Sequence, residues 1–176
     1  AETTSSSRFC DISKGKWVEE IEGSAPFYDP GTCPFVGEGF DCHGNGRVDT
    51  KYMRWRWAPS DCHMPKFNST HMLHWLRGKR LVFVGDSLNR NQWESMLCML
   101  REALADKRRI VQIHGGSKVS KIPGAYAFKF LVKNNPLQTA TTEIFLQKPY
   151  VKSHPPVLIF HINNVHMYAR LFMCYA

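Results

Sequence analysis

Between residues 80 and 104 the pattern of apolar and polar positions changes from that of a strand to that of a helix. Residues 81–84 form a short continuous apolar run, which is typical of a buried strand. Farther on, apolar side chains recur at the spacing of one helical face, at Trp93, Met96, Leu97, Leu100 and Leu104. The pattern therefore predicts a strand over 80–84 and a long helix over 88–104, joined by a turn.

Ser87 stands in that turn, at the point where the helix begins. Gly85 permits a tight turn that a residue with a side chain would resist. The first backbone N–H groups of a helix are unpaired and lie at the positive end of its dipole, which suits an activated alkoxide or a developing oxyanion. Asp86 and Ser87 also suit a plain helix cap. A nucleophilic serine is favoured by polar residues in the first turn that a core helix does not need: Asn89, Arg90, Asn91 and Gln92.

Further elements follow from shorter apolar runs. A helix is predicted over 70–77, and strands over 110–113, 126–132 and 157–162. The order of strand, helix and strand around Ser87 indicates an α/β fold with a partial parallel sheet, whose site is expected at the carboxyl ends of the strands. Residues 1–70 are rich in Gly, Pro and Cys with little periodicity, which predicts an irregular lobe pinned by disulfides.

The formal net charge of +8 is unevenly distributed along the chain. Residues 1–106 carry 13 basic and 14 acidic side chains, whereas residues 107–176 carry 10 basic and one acidic. The lysines of the second segment are too widely spaced to form a basic groove with interleaved aromatics, so we expect no nucleic-acid partner. A length of 176 residues with 43% hydrophobic residues is typical of one folded domain.

Six cysteines, four of them before residue 63, indicate an oxidising lumen. Their spacing contains no C-x-x-C pair and fits no zinc template, so disulfides are favoured and no metal site is expected. His71 and His74 share a helix face, but two surface histidines are the simpler interpretation. Asn68 begins an Asn-Ser-Thr sequon and is a candidate glycosylation site. No stretch has the roughly 18 apolar residues that cross a bilayer.

Two tryptophans near residue 56 allow two interpretations. If the backbone is extended there, Trp55 and Trp57 lie on one face, which can stack on sugar rings. Packing of both indoles in the core, with Arg54 and Arg56 toward solvent, is the favoured interpretation because large aromatics mostly supply buried area.

Several motifs follow one another in a specific order. They are Cys10-Asp11, Gly15-Lys16-Trp17, Cys33-Pro34-Phe35, Trp55-Arg56-Trp57 and Asp61-Cys62, followed by VFVGDSLNRNQWESM at residues 82–96. In this order they resemble the plant trichome birefringence-like family of Golgi polysaccharide O-acetyltransferases, whose fold is a relative of the GDSL (SGNH) esterase fold. The resemblance covers about residues 9–104, continues at 124–130 and is not recognisable from about residue 131 onward.

The resemblance implies a division of the chain into four parts. These are a stem remnant (1–8), a Cys-rich amino-terminal block (9–66), the start of a PC-esterase acyltransferase domain (67–130) and an unrecognised tail (131–176). It also implies the disulfides Cys10–Cys62 and Cys33–Cys98, which leaves Cys42 to pair with Cys174. Family members resemble type II proteins of the Golgi, so we expect a lumenal location and an amino-terminal membrane anchor that this chain does not contain.

The serine of the family's block takes an acetyl group as a covalent ester, which implies Ser87 as the nucleophile. The backbone N–H of Ser87 then helps to hold the oxyanion, while Gly85, Asp86 and Arg90 shape the turn or orient the acyl group. The implied partners are an acetyl donor and a polysaccharide acceptor, with xylan favoured, and no cofactor is expected.

The family's general base comes from a carboxy-terminal Asp-x-x-His motif. This chain has no Asp after Asp106, and its only later acidic residue, Glu143, has no His three positions on. The favoured explanation is a truncated or misassembled product whose sequence is replaced from about residue 131. The other explanation is a shortened protein that uses a late histidine: His154, His161 or His166. The alternative functions are an acetylesterase and a non-catalytic polysaccharide-binding module.

Overall fold

The structure is a computed structural model, and it describes residues 10–20, 26–114, 126–135, 138–147 and 157–160. Within these residues it contains a two-stranded sheet, a five-stranded sheet and two α-helices. In chain order the elements are β1 (Gly15–Glu19), β2 (Trp55–Pro59), α1 (Ser69–Trp75), β3 (Arg80–Val84), α2 (Ser87–Glu102), β4 (Ile110–His114), β5 (Tyr126–Asn135), β6 (Gln138–Gln147) and β7 (Val157–Phe160). The helices and strands predicted around Ser87 are therefore present; β3 has its predicted bounds, and the ends of the others differ from the prediction by at most three residues.

The larger sheet has the strand order β4-β5-β6-β3-β7. Strand β3 has parallel neighbours on both sides, β6 and β7, as expected for the strand that leads into the site. The sheet as a whole is mixed, because β5 runs antiparallel to both β4 and β6. The prediction of a partial parallel sheet is therefore right for β3 and its neighbours, and β4 runs in the same direction as β3 but is separated from it by β6 and the antiparallel β5.

Strand β6 is an element that the sequence pattern did not predict. Asn134-Asn135-Pro136 is a sequence that usually interrupts regular structure, yet Asn134 and Asn135 are the last residues of β5, and Asn135 pairs with Gln138, the first residue of the antiparallel strand β6. The pair β5 and β6 is inserted between β4 and β3. Strand β4 consequently lies at one end of the described sheet instead of beside β3.

The core lies between α2 and the larger sheet. Every residue of the predicted apolar stripe of α2 is buried, from Trp93 through Leu97 and Leu100 to Leu104 just beyond its end. The Trp93 ring lies 5.8 Å from the ring of Phe128, centroid to centroid. The stripe packs against buried residues of the strands, among them Leu81, Phe83, Phe130 and Ile144. Each large apolar side chain buried in this way stabilises the fold by about 1.5–3 kcal/mol.

The segment 10–63 forms the amino-terminal lobe. Its described residues, 10–20 and 26–63, are irregular, as predicted, apart from short 3-10 turns and the antiparallel pair β1 and β2. Trp57 is half-buried and its Nε1 donates a hydrogen bond to the Ile12 carbonyl oxygen at 2.8 Å. Trp55 is 41% exposed, so the expectation that both indoles pack in the core is wrong for Trp55. A sheet of two strands offers too little surface to bury a whole row of indoles.

Two disulfides hold the lobe. Cys10–Cys62 closes the lobe on itself, and Cys33–Cys98 fastens it to the middle of α2. These are the two pairs that the family resemblance implied. Cys42 is disulfide-bonded as well, and Cys174, its expected partner, lies outside the described residues.

Candidate active site

Ser87 is exposed and is the first residue of α2, directly after the carboxyl end of β3. Asp86 is the N-cap, and its side chain accepts a hydrogen bond from the Leu88 N–H at 3.0 Å. The Asp86 carbonyl oxygen accepts a hydrogen bond from the Arg90 N–H at 3.0 Å, which is the first backbone hydrogen bond of α2. Because Asp86 caps the helix, Ser87 is not needed for that purpose and its hydroxyl stands at the open end of the helix.

The turn before Ser87 depends on the absence of a side chain at Gly85. A Cβ atom built there would collide with the side-chain amide of Asn89, one turn into the helix. Asn89 is only 7% exposed and cannot move aside at low cost. Gly85 therefore lets the helix start close against the strand that precedes it, which fixes where Ser87 lies.

Arg90 is fixed by a buried carboxylate. Its Nε donates to Glu94 Oε1 at 2.7 Å, and the Gly37 backbone N–H from the lobe donates to Glu94 Oε2 at 2.8 Å. Glu94 is 1% exposed, and this burial raises the pKa of its carboxyl above the ordinary value of 4.5, although both hydrogen bonds oppose the rise. Arg90 also lies over the Phe40 ring, with its guanidinium carbon 5.7 Å from the ring centroid.

Glu94 was not identified from the sequence. The spacing of Arg90 and Glu94, four residues apart on a predicted helix, is a signal for an ion pair. The second hydrogen bond to Glu94 comes from the backbone N–H of Gly37, 57 residues away, and no local sequence pattern predicts it. The structure thus gives Arg90 a defined role in holding the first turns of α2 to the lobe.

A pocket lies between the lobe and α2. Helical spacing places Asn91 and Ser95, which line it, on the side of α2 that begins with Ser87. Tyr28 lines it from the lobe and hydrogen-bonds to Ser95, while burial raises the pKa of the Tyr28 phenol. Asn91 Oδ1 is buried and has no hydrogen-bond partner within the described part of the chain. The pocket therefore offers one unused acceptor next to aromatic walls.

No general base for Ser87 is found among the side chains that the structure describes. None of them is hydrogen-bonded to Ser87 Oγ, and His43, His63, His71 and His74 are exposed at other places, while the side chain of His114, at the end of β4, is outside the described set. The late histidines His154, His161 and His166 lie outside the described ranges. The described segments also contain no group of three His, Cys, Asp or Glu side chains that could hold a metal ion. Of the two described helices, neither is long and apolar enough to cross a bilayer.

The serine at the junction of a buried strand and a helix, in a Gly-Asp-Ser turn, defines the class of GDSL/SGNH-like acyl esterases. The model of the PC-esterase family, described as a GDSL/SGNH-like acyl-esterase family found in Pmr5 and Cas1p, matches residues 64–157. The model of the PMR5 N-terminal domain matches residues 8–63. The chain belongs to the PC-esterase family.

Curated relatives agree with this family. The chain is 54% identical over 122 residues to trichome birefringence-like 6 of Arabidopsis thaliana, covering 69% of this chain and 25% of that protein. It is 52% identical over 123 residues to trichome birefringence-like 4 of the same plant, covering 69% and 26%. It is 47% identical over 111 residues to xylan O-acetyltransferase 13 of Oryza sativa subsp. japonica, covering 63% and 22%. The resemblance to the trichome birefringence-like family is confirmed, and the chain spans about a quarter of the length of these relatives.

Proposed function

We propose that this protein takes part in the O-acetylation of a cell-wall polysaccharide, with xylan as acceptor, through an acetyl ester on Ser87. The observation that carries the proposal is the exposed position of Ser87 at the start of α2 in a member of the PC-esterase family. Relatives named xylan O-acetyltransferases support the choice of acceptor. Their family resemblance and the disulfides of the lobe support a Golgi lumenal location.

The reaction has two steps that share one intermediate. Ser87 Oγ attacks the acetyl carbonyl carbon of an ester or thioester donor, a general base takes the hydroxyl proton, and the donor's alcohol or thiol leaves with a proton. A sugar hydroxyl oxygen then attacks the Ser87 ester, which forms the acetylated sugar and returns the proton to Ser87 Oγ. In both steps the negative charge that develops on the carbonyl oxygen is stabilised by the Ser87 N–H at the amino end of α2.

The residues around Ser87 are proposed to act by position. Gly85 sets the distance between β3 and α2, and Asp86 caps α2 so that Ser87 keeps a free hydroxyl. Arg90 is already hydrogen-bonded to Glu94. We therefore propose that Arg90 stabilises the conformation of the first turns of α2 and does not contact the acyl group directly. The amino-terminal block and the acyltransferase domain are proposed to work together, because Cys33–Cys98 and the Gly37–Glu94 bond cross between them.

The general base of this proposal is not among the side chains that the structure describes. That requirement gives a specific reason to weigh a second function, a lumenal module that holds polysaccharide without chemistry. An acetylesterase differs only in the second step, where water replaces the sugar hydroxyl.

The test is direct detection of the Ser87 ester. The purified protein is incubated with 4-nitrophenyl acetate, with and without soluble xylan, and acetylated peptides and acetylated xylan are measured by mass spectrometry. Ser87→Ala should abolish the acetyl ester, with a loss of at least about 10³-fold in acetyl release. Ser69→Ala is the matched control, since Ser69 is likewise the first residue of a helix after an Asx cap.

Each outcome decides between the functions. Transfer of acetyl to xylan that depends on Ser87 supports the transferase. Release of free acetate that is independent of xylan identifies an esterase. Absence of a Ser87 ester under both conditions overturns the catalytic proposal and favours the binding module.

A further inference from the structure

Three tryptophans share one face of the small sheet in the lobe. In the antiparallel pair of β1 and β2, Trp17 stands opposite Trp57 and Glu19 stands opposite Trp55. Since residues at alternate positions of a strand point to the same side, Trp17, Trp55 and Trp57 lie on one face. We propose that these three indoles, the tryptophan face, bind the sugar rings of an uncharged polysaccharide. The choice of xylan as that polysaccharide rests on the proposed function.

The tryptophan face is held in place before any ligand arrives. Trp57 is anchored by its hydrogen bond to the Ile12 carbonyl oxygen. Trp17 meets Trp57 edge to face, with ring centroids 5.4 Å apart and planes at 66°. Gly15 makes room for Trp57, because a Cβ atom there would lie 2.9 Å from Trp57 Cε2. Ordered indoles lose little conformational entropy on binding, so the face is preorganised for a flat ligand.

The exposed area of the face fits a sugar chain better than a folded partner. Trp17 is 37% exposed and Trp55 is 41% exposed, although large aromatics are usually buried. An indole side chain presents up to about 250 Å², so the two together expose roughly 200 Å². A stable protein interface needs about 800 Å² on each partner. The area therefore suits the apolar C–H faces of a short run of pyranose rings, which stack on the electron-rich face of an aromatic ring.

The charges of the lobe favour an uncharged polysaccharide as the ligand. Residues 10–63 carry nine acidic and six basic side chains, so the lobe itself has no excess of positive charge with which to attract polyanions such as polygalacturonate or a nucleic acid. Close to the face, Arg56 Nε is paired with Glu20 Oε1 at 2.8 Å and is not available to an anionic ligand. Glu19, on the same face as Trp55, supplies a carboxylate that accepts hydrogen bonds from sugar hydroxyls. Xylan without acidic substituents has the matching chemistry.

The experiment measures binding of the intact chain to soluble neutral xylan by affinity gel electrophoresis and calorimetry. Trp17→Ala and Trp55→Ala should each weaken the Kd by about tenfold, the scale of one aromatic stacking contact. Trp75→Ala is the matched control, because Trp75 is 48% exposed on α1, far along the chain from the face, and should leave the Kd unchanged.

Further variants keep the result interpretable. Trp17→Phe and Trp55→Phe retain a ring and should recover part of the affinity, which a general loss of folding would not allow. Ser87→Ala should bind xylan like the wild type, so that failure of the Ser87 ester and failure of the tryptophan face are read out separately. The proposal is overturned if the wild type does not bind xylan, or if Trp17→Ala and Trp55→Ala bind no worse than Trp75→Ala.

Discussion

The amino-terminal lobe and the helix α2 differ in what they bury. Helix α2 has ten buried residues, most of them apolar side chains in the core. In the described part of the lobe, residues 10–20 and 26–63, the buried residues are Cys33, Gly37 and Cys42. Each of these three belongs to a link: Cys33 to Cys98, Gly37 to Glu94, and Cys42 to a disulfide.

This difference means that the two regions are stabilised by different physics. The α2 region depends on apolar surface removed from water, which is spread over many side chains. The lobe, in the residues that the structure describes, has no comparable core of its own and depends on a few links, as small disulfide-rich domains do. Loss of one link should therefore matter to the lobe as much as loss of a large core side chain matters to the α2 region.

The largest expected effect comes from removing the link between the two regions. The double variant Cys33→Ala and Cys98→Ala opens a loop of 65 residues, for which chain entropy predicts a loss of about 4 kcal/mol in the free energy of unfolding. Urea unfolding followed by fluorescence and far-UV circular dichroism should then show the lobe unfolding before the helices. The matched control, Cys10→Ala with Cys62→Ala, opens a loop of 52 residues inside the lobe and should leave the unfolding of α2 unchanged. A single transition at the wild-type midpoint in the first variant would contradict this account.

The next effect tests the apolar core. Leu97 is completely buried, and Leu97→Ala should cost about 3 kcal/mol, because the lost contacts leave a cavity. Leu88 lies on the same helix at 56% exposure, and Leu88→Ala should stay within about 0.5 kcal/mol of wild type. Chemical denaturation of both variants measures the difference. Equal effects at the two positions would mean that α2 is not packed as described.

The smallest effect concerns Glu94 and pH. Burial raises the pKa of the Glu94 carboxyl above 4.5, so in the folded protein this group holds its proton more tightly than in the unfolded chain. Its contribution to stability is therefore fully present below about pH 4.5, its unfolded pKa, and is lost as the pH rises through the folded pKa. Glu94→Gln cannot titrate and so does not lose stability in this way. The free energy of unfolding of the variant minus that of the wild type should therefore rise between pH 4 and pH 7, and the two should differ by less than ~1.5 kcal/mol at any one pH.

A matched variant on the same helix controls for the loss of a carboxylate. Glu102 lies at the surface in ion pairs with Arg101 and Lys107, and Glu102→Gln should change stability at pH 7 by less than about 0.5 kcal/mol. Unfolding curves at several pH values compare the two. If the wild type and Glu94→Gln lose stability in parallel as the pH rises, Glu94 is not the group responsible.

The local elements of the fold were predictable, and the order of the strands was not. Periodicity and a turn residue define β3 and α2, because both depend on neighbours within a few positions. Strand β6 was not predicted, because Asn134, Asn135 and Pro136 looked like the end of regular structure, whereas Asn134 and Asn135 belong to β5 and Asn135 pairs with Gln138 of β6. The position of β4 at one end of the sheet depends on pairing between distant segments, which no local pattern encodes.

The site was predictable to the same extent. The nucleophile candidate Ser87, the glycine before it and the cap at Asp86 follow from a contiguous motif. The buried pair of Glu94 with Gly37 joins residues far apart in sequence, and only the fold brings them together. The oxyanion role of the Ser87 N–H and the glycosylation of Asn68 stay predictions. In the structure the Asn68 side chain caps α1 by accepting the His71 N–H at 2.8 Å.

The position of Cys98 sets an order of events during biosynthesis. Cys98 is completely buried in the finished protein, so neither an oxidoreductase nor glutathione reaches its sulfur once α2 has docked on the sheet. The bond to Cys33 must therefore form while α2 is still accessible, which makes oxidation an early step and the closing of the core a later one. After closure the same burial shields the bond from reductants, so the covalent link between the lobe and α2 persists once the core has closed.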